Sequence, residues 1–177
     1  SFDVGAYQLG GHAVVLSPSG GMWPLEFEDG IVMLDDAEEH AREAAKVLSR
    51  YCDLIGIRAF PKFEDWGLDR KDQILQSFAK HADVPVINAG DGSHEHPTQT
   101  LCDLYTLRRA KGTLAGMTVA IGGDLKRGRA VHSLIRALAR FKVNIVIVPP
   151  RGMELPEWFL RRIGEEVLPD FPMPAWL

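Results

Sequence analysis

The chain has 177 residues, of which 46% are hydrophobic, 25% charged and 8% aromatic, enough apolar matter for a packed core and too much for a disordered chain. Twenty Lys and Arg against 24 Asp and Glu leave a net charge of -4 with no long run of one sign, so no nucleic-acid or membrane footprint is expected. The apolar stretches are strand-sized, far below the ~20 residues that span a bilayer, and no secretory signal opens the chain, so a cytoplasmic protein is the expectation.

In chain order, short runs rich in Val and Ile alternate with helical patterns. Residues 10–16 (GGHAVVL), 54–60 (LIGIRAF), 84–89 (VPVINA), 118–122 (TVAIG) and 144–149 (NIVIVP) read as buried strands. Runs of this kind suit a parallel sheet covered on both faces. A helix is expected from Asp35, with Ala37, Ala41, Ala44, Ala45 and Leu48 on one face, acidic residues first and Lys46 and Arg50 near its end. Lys71 to His81 gives a second helix, Pro97 opens a third that Gly112 stops, and Ala130 to Phe141 forms a fourth. The fold class is therefore α/β, a parallel sheet flanked by helices. The small, polar 111–115 (KGTLA) marks a boundary between a first unit, residues 1–112, and a second, residues 113–177, with the helix over 96–111 joining them. The second unit would hold two strands and about two helices, and the tail from Pro169, with three prolines in nine residues, continues neither helix nor central strand.

Cys52 and Cys102 have no metal-type spacing and read as reduced and mostly buried. His94 and His96 could hold a metal, but with no third ligand of suitable spacing near them no zinc site is expected. In a parallel α/β sheet, ligands gather at the carboxyl ends of the strands. Arg58 stands inside an apolar run, where a charge must meet either a carboxylate or a ligand anion. After the strand at 84–89, glycines free the backbone before a helix start at His96 and Pro97, which turns N–H groups toward an anion. His96 and Gln99 project from one side of the first turn, where imidazole and amide could grip a small polar group; alternatively His96 only caps the helix and Gln99 is solvated. After the strand at 118–122, Lys126, Arg127 and Arg129 suggest a carboxylate or phosphate site, against ordinary surface charge. No G-x-G-x-x-G is present.

These segments carry a resemblance. VPVINAGDG (84–92) with HPTQTLCDL (96–104), and GDLKRGRAVHSL (123–134), resemble two motifs of the aspartate carbamoyltransferases in the aspartate/ornithine carbamoyltransferase superfamily. The opening Ser1-Phe2-Asp3 with Leu9-Gly10-Gly11 resembles the stretch after that family's phosphate-gripping Ser-Thr-Arg-Thr motif, so the likeness runs to about residue 165. It implies a carbamoyl phosphate domain over 1–112 that lacks its first part, and a truncated aspartate-binding domain over 113–177. The implied reaction moves the carbamoyl group of carbamoyl phosphate to the amino group of aspartate, for pyrimidine synthesis, with no metal or organic cofactor. By the same resemblance, Arg58 and His96 contact carbamoyl phosphate and polarise its carbonyl oxygen, Gln99 binds its NH2 group, and Arg129 binds a carboxylate of aspartate. A homotrimer with active sites shared between subunits is implied as well, and a regulatory subunit is compatible with it.

Two departures qualify the match. GGMWPLEFEDG (20–30) lacks the family's loop Ser and Lys, and with AFPKFEDW (59–66) it looks like the N-acetylornithine and N-succinylornithine branch, in which a loop tryptophan shapes the acceptor pocket. Trp23 is the candidate for that role, its alternative being packing in a subunit interface. Moreover, no Arg-x-Gln follows Arg129, and the phosphate motif does not precede Ser1, so this polypeptide by itself is expected to be inactive or nearly so. Aspartate is the favoured acceptor, because residues 124–134 lie in the acceptor half. The rivals are ornithine or an N-acylornithine as acceptor, and a non-catalytic homologue that serves as a binding or assembly partner.

Overall fold

The computed structural model describes residues 2–17, 25–27, 30, 32–33 and 37–166. The chain begins with α1 (Phe2–Gln8), followed by the short parallel pair β1 (Leu25–Glu26) and β2 (Glu39–His40). Then come α2 (Ala41–Leu48), β3 (Ile55–Ile57), α3 (Trp66–Asp69), α4 (Gln73–His81) and β4 (Val86–Asn88). The 15-residue α5 (Pro97–Lys111) leads to β5 (Thr118–Gly122), α6 (Arg129–Leu138) with a 3-10 turn over Ala139–Phe141, β6 (Asn144–Val148) and α7 (Glu157–Glu166). Among the described residues every strand pair is parallel: β3 on β4 with Ile55 opposite Val86, and β5 on β6 with Thr118 opposite Asn144. This is an α/β fold in which helices carry the crossovers from β3 to β4 and from β5 to β6, as parallel pairing requires.

Two apolar clusters hold these units. Ala41, Ala44 and Ala45 of α2 meet Phe78 of α4, and Ile55, Ile57 and Val86 of the strands pack against them. The larger cluster joins Ile121, Leu125, Ile135, Leu138 and Phe159, with Leu104 and Leu107 of α5 lying against it. Thus α5 shares its apolar contacts with the elements that follow it. Helix ends follow local chemistry: His40 Nδ1 accepts the Arg42 N–H at 3.0 Å to cap α2, and Gly112 closes α5 with φ 80°, a conformation that glycine reaches without strain. No helix among the described residues is long and apolar enough to cross a membrane.

Several expectations are corrected. Residues 11–16 form no strand, and Val14 and Val15 are about three-quarters exposed; a β-rich run becomes a strand only where a neighbour takes its hydrogen bonds, and no described strand pairs with it. Instead of starting at Asp35, α2 starts at Ala41, since Glu39 and His40 are drawn into β2. Among the described residues the parallel strands are paired two by two, in three ladders flanked by helices. In β5 and β6, Val119, Ile121, Ile145 and Ile147 turn to the core side, while Val146 and Val148 remain exposed. The cysteines are free but not buried: Cys102 is exposed on α5, and Cys52 is half-buried with its thiol donating to the Leu48 carbonyl at 3.1 Å. Helices α1 and α3, both short, were not expected, whereas α7 is the second helix expected beyond residue 113.

Candidate functional site

Three loops leaving the carboxyl ends of β3, β4 and β5 meet. The Ala59 N–H donates to the Gly90 carbonyl at 2.8 Å, which ties the loop after β3 to the loop after β4. That second loop is braced from within: Asn88 Oδ1 accepts the Gly90 N–H at 2.8 Å, and Asp91 Oδ1 accepts the Glu95 N–H at 2.8 Å. Gly90 has φ 115°, and a Cβ there would stand 3.0 Å from the His96 ring, so the backbone passes the imidazole as only glycine allows.

His96 is buried and caps α5. Its Nδ1 accepts the Gln99 N–H at 3.3 Å, and its own N–H donates to Ser133 Oγ at 2.8 Å. A neutral ring that accepts at Nδ1 carries its proton on Nε2. That Nε2 lies 3.3 Å from Arg58 Nη1, which can only donate. Burial, then the charges of Arg129 and Arg58, push the His96 pKa below the ordinary imidazole value and keep the ring neutral at pH 7. Two donors therefore stand side by side with no acceptor between them, an arrangement suited to one oxygen carrying negative charge. Arg58 itself lies just beyond β3 and is exposed, not enclosed in a buried strand as its sequence context implied; the strand ends at Ile57.

Gln99 shares the first turn of α5 with His96, but its side chain is exposed and its Nε2 donates to Asp103 Oδ1 at 3.0 Å. Arg129, the first residue of α6, reaches across to the other two loops: Nη1 donates to the carbonyls of Ala59 at 2.5 Å, Asp91 at 2.9 Å and Gly92 at 3.2 Å. Among the described residues its other nitrogens make no hydrogen bond, and burial, then Arg58, lower its pKa. Of the three cations in that loop only Arg129 points here. Arg127 lies 3.7 Å from Asp124, and Lys126 Nζ lies 5.9 Å from the Trp66 ring centre. Trp23 lies outside the described residues.

Behind this surface lies a polar network that the linear reading missed. His94 Nδ1 meets Asp72 Oδ2 at 2.5 Å, and Asp72 stands before α4 with φ 52°. Burial of His94 opposes its charge, yet the bond and charge of Asp72 prevail and raise its pKa. Asp91, which also accepts from Asn88 Nδ2 at 2.5 Å, is pushed up to about 6 by burial and by the neighbouring Asp72. Glu95 pairs with Arg136 at 3.0 Å and accepts from the Ser133 hydroxyl, and buried His132 meets the carbonyls of Leu125 at 2.8 Å and His94 at 3.1 Å. The expectation that no further ligand type adjoins the His94 and His96 pair is thus corrected: Asp72 and Asp91 reach His94, with donor atoms within 4.8 Å of one another, while His96 serves the other site. Within the cluster, His94 and Asp72 are joined by a hydrogen bond at 2.5 Å. Its partners lie 22 residues apart, and no periodic signal joins them.

Comparison with known proteins identifies the family. Residues 1–109 match the family model described as "Aspartate/ornithine carbamoyltransferase, carbamoyl-P binding domain". An N-acetylornithine carbamoyltransferase of Xanthomonas campestris is 57% identical over 113 residues, covering 64% of this chain and 33% of that protein. The aspartate carbamoyltransferase catalytic subunit of Clostridium novyi is 36% identical over 166 residues, covering 93% of this chain and 47% of that protein. A crystal structure of acetylornithine transcarbamylase complexed with acetylcitrulline superposes with a TM-score of 0.84 at 41% identity, covering 94% of this chain and 51% of the other. The chain thus spans about a third to a half of the length of these relatives. It belongs to the aspartate/ornithine carbamoyltransferase family.

Proposed function

We propose that this chain supplies the carbamoyl phosphate site of a carbamoyltransferase, and that the whole protein transfers the carbamoyl group to the amino group of L-aspartate. The observation that carries the reading is the pair of donors, Arg58 Nη1 and His96 Nε2, 3.3 Å apart and facing no acceptor. An amine attacking the carbonyl carbon forms a C–N bond, and breakage of the C–O bond to phosphate follows; between the two steps the carbonyl oxygen carries negative charge. Both donors would stabilise that charge, an effect worth about 10²–10³ in rate per donor in comparable sites. The acceptor ammonium releases one proton to become the attacking amine, and the amine then gives up a second proton that leaves on the phosphate, so the products are the carbamoylated amine, hydrogen phosphate and one proton.

Gln99 is read as the ligand of the carbamoyl NH2 through its amide oxygen, which requires no change in its Nε2 bond to Asp103. Arg129 is read as the ligand of an acceptor carboxylate through the guanidinium edge that its three carbonyl contacts leave open. Aspartate is favoured by the resemblance of residues 123–134, the loop and helix that bear Arg129. One observation favours a second acceptor, N-acetylornithine: identity to relatives of that name reaches 57%, against 36% to the aspartate relative from Clostridium novyi.

The test offers the full-length protein carbamoyl phosphate with equal concentrations of aspartate, ornithine and N-acetylornithine, and identifies products by mass. Carbamoyl-aspartate is the expected product. N-acetylcitrulline in its place would establish the second acceptor, and no carbamoylated product at all would leave a non-catalytic homologue.

A further inference from the structure

Phe60 has no place in either apolar cluster and is 66% exposed, although it sits at the mouth of the site. Its neighbours are charged. The Arg58 guanidinium carbon stands 4.9 Å from the ring centre and that of Arg129 stands 5.1 Å from it. Two like charges brought this near repel: burial first, and then the charge of Arg58, lower the Arg129 pKa. An aromatic face attracts cations and offers each of them a compensating contact.

The backbone holds that ring in place. Pro61 confines Phe60 to extended conformations, while the preceding Ala59 is pinned on both sides, its N–H on the Gly90 carbonyl at 2.8 Å and its carbonyl on Arg129 Nη1 at 2.5 Å. We propose that Phe60 is a positioning residue: its ring holds Arg58 and Arg129 together beside His96, so that the cation for carbamoyl phosphate and the cation for the acceptor carboxylate stand at one site. The idea rests on the carbamoyl phosphate reading for its purpose, but the arrangement of the side chains can be tested without turnover.

If the ring is replaced by a flat-faced aromatic, the two cations keep their seat; if by an aliphatic of similar bulk, they part. Besides Arg58 and Arg129, the charged group acting on His96 is Asp103, from α5, with opposite sign. Departure of either arginine therefore raises the His96 pKa. The experiment is NMR titration of the His96 imidazole in the full-length protein, in parent, Phe60→Leu and Phe60→Trp, together with the KM for carbamoyl phosphate.

Phe60→Leu is expected to raise the His96 midpoint by about half a unit and the KM severalfold, the scale of a partly exposed cation–π contact, with Phe60→Trp restoring both. An unchanged His96 midpoint in Phe60→Leu would overturn the proposal, even if KM rose, because the ring would then touch substrate directly. Failure of Phe60→Trp to restore the midpoint would overturn it as well. Absence of turnover in the parent would count against the carbamoyl-transfer reading alone, since the titration would still report on the arginines.

Discussion

His96 has two tasks that one substitution separates. Its Nδ1 caps α5, which an asparagine oxygen can also do, whereas its Nε2–H is a donor that asparagine cannot place at the same point. His96→Asn is therefore expected to reduce turnover about 10²–10³-fold while leaving the thermal midpoint nearly unchanged, as steady-state kinetics and calorimetry would record. Equal turnover would remove the imidazole from the reaction. Because the His96 pKa is lowered, the rate should stay level as pH falls through the ordinary imidazole range and decline only below it. At this scale the sequence was informative: the histidine, proline and glutamine in one turn marked a helix start, His96 caps it, and its Nε2 is left beside Arg58. What could not be read was the seat of Arg58, since exposure depends on where a strand ends, and the part of Phe60, since ring-to-guanidinium contacts are made between loops.

At the scale of elements, the loop between β4 and α5 is fastened to α4 by Asp72 and His94, a pair whose side chains are 4% and 16% exposed. Removing one partner of such a pair leaves the other buried without compensation, so Asp72→Asn should cost roughly 3 kcal/mol in denaturant unfolding. The pH dependence has a definite sign. Asp91 has a folded pKa of about 6 against 3.8, so its contribution is complete below the unfolded value and is lost as pH rises through the folded one. His94, also raised, acts in the same sense above 6.5, while lowered His132 and His96 lose stability as pH falls below 6.5. Asp91→Asn is accordingly expected to flatten the decline in stability between about pH 4 and pH 6, read from thermal midpoints; an unaltered slope would show that Asp91 is ionised throughout. Helix α7 is anchored by Phe159, which is fully buried, and Phe159→Ala should cost about 4 kcal/mol. The pairs β3–β4 and β5–β6 and helices α5 and α6 were legible because apolar runs and caps agree there. Residues 10–16 misled, because β propensity says nothing of whether a partner strand is at hand.

At the scale of the molecule, the site depends on groups that arrive from both sides of α5: Arg58 and His96 before it, Arg129 and Ser133 after it. Val146 and Val148 on the outer face of β6 are exposed, as are Tyr7 at 80% and Leu9 at 91% by α1. The resemblance implies a trimer with shared sites, and native mass spectrometry of the full-length protein should give three times the subunit mass; a monomer alone would contradict that assembly. Calorimetric titration with carbamoyl phosphate probes the donor pair itself. Saturable binding by the full-length protein is expected, with a loss of affinity of at least about tenfold in Arg58→Ala, the scale of a charge-assisted hydrogen bond. Binding by that variant as tight as by its parent, or no binding by the parent, would contradict the role of that pair.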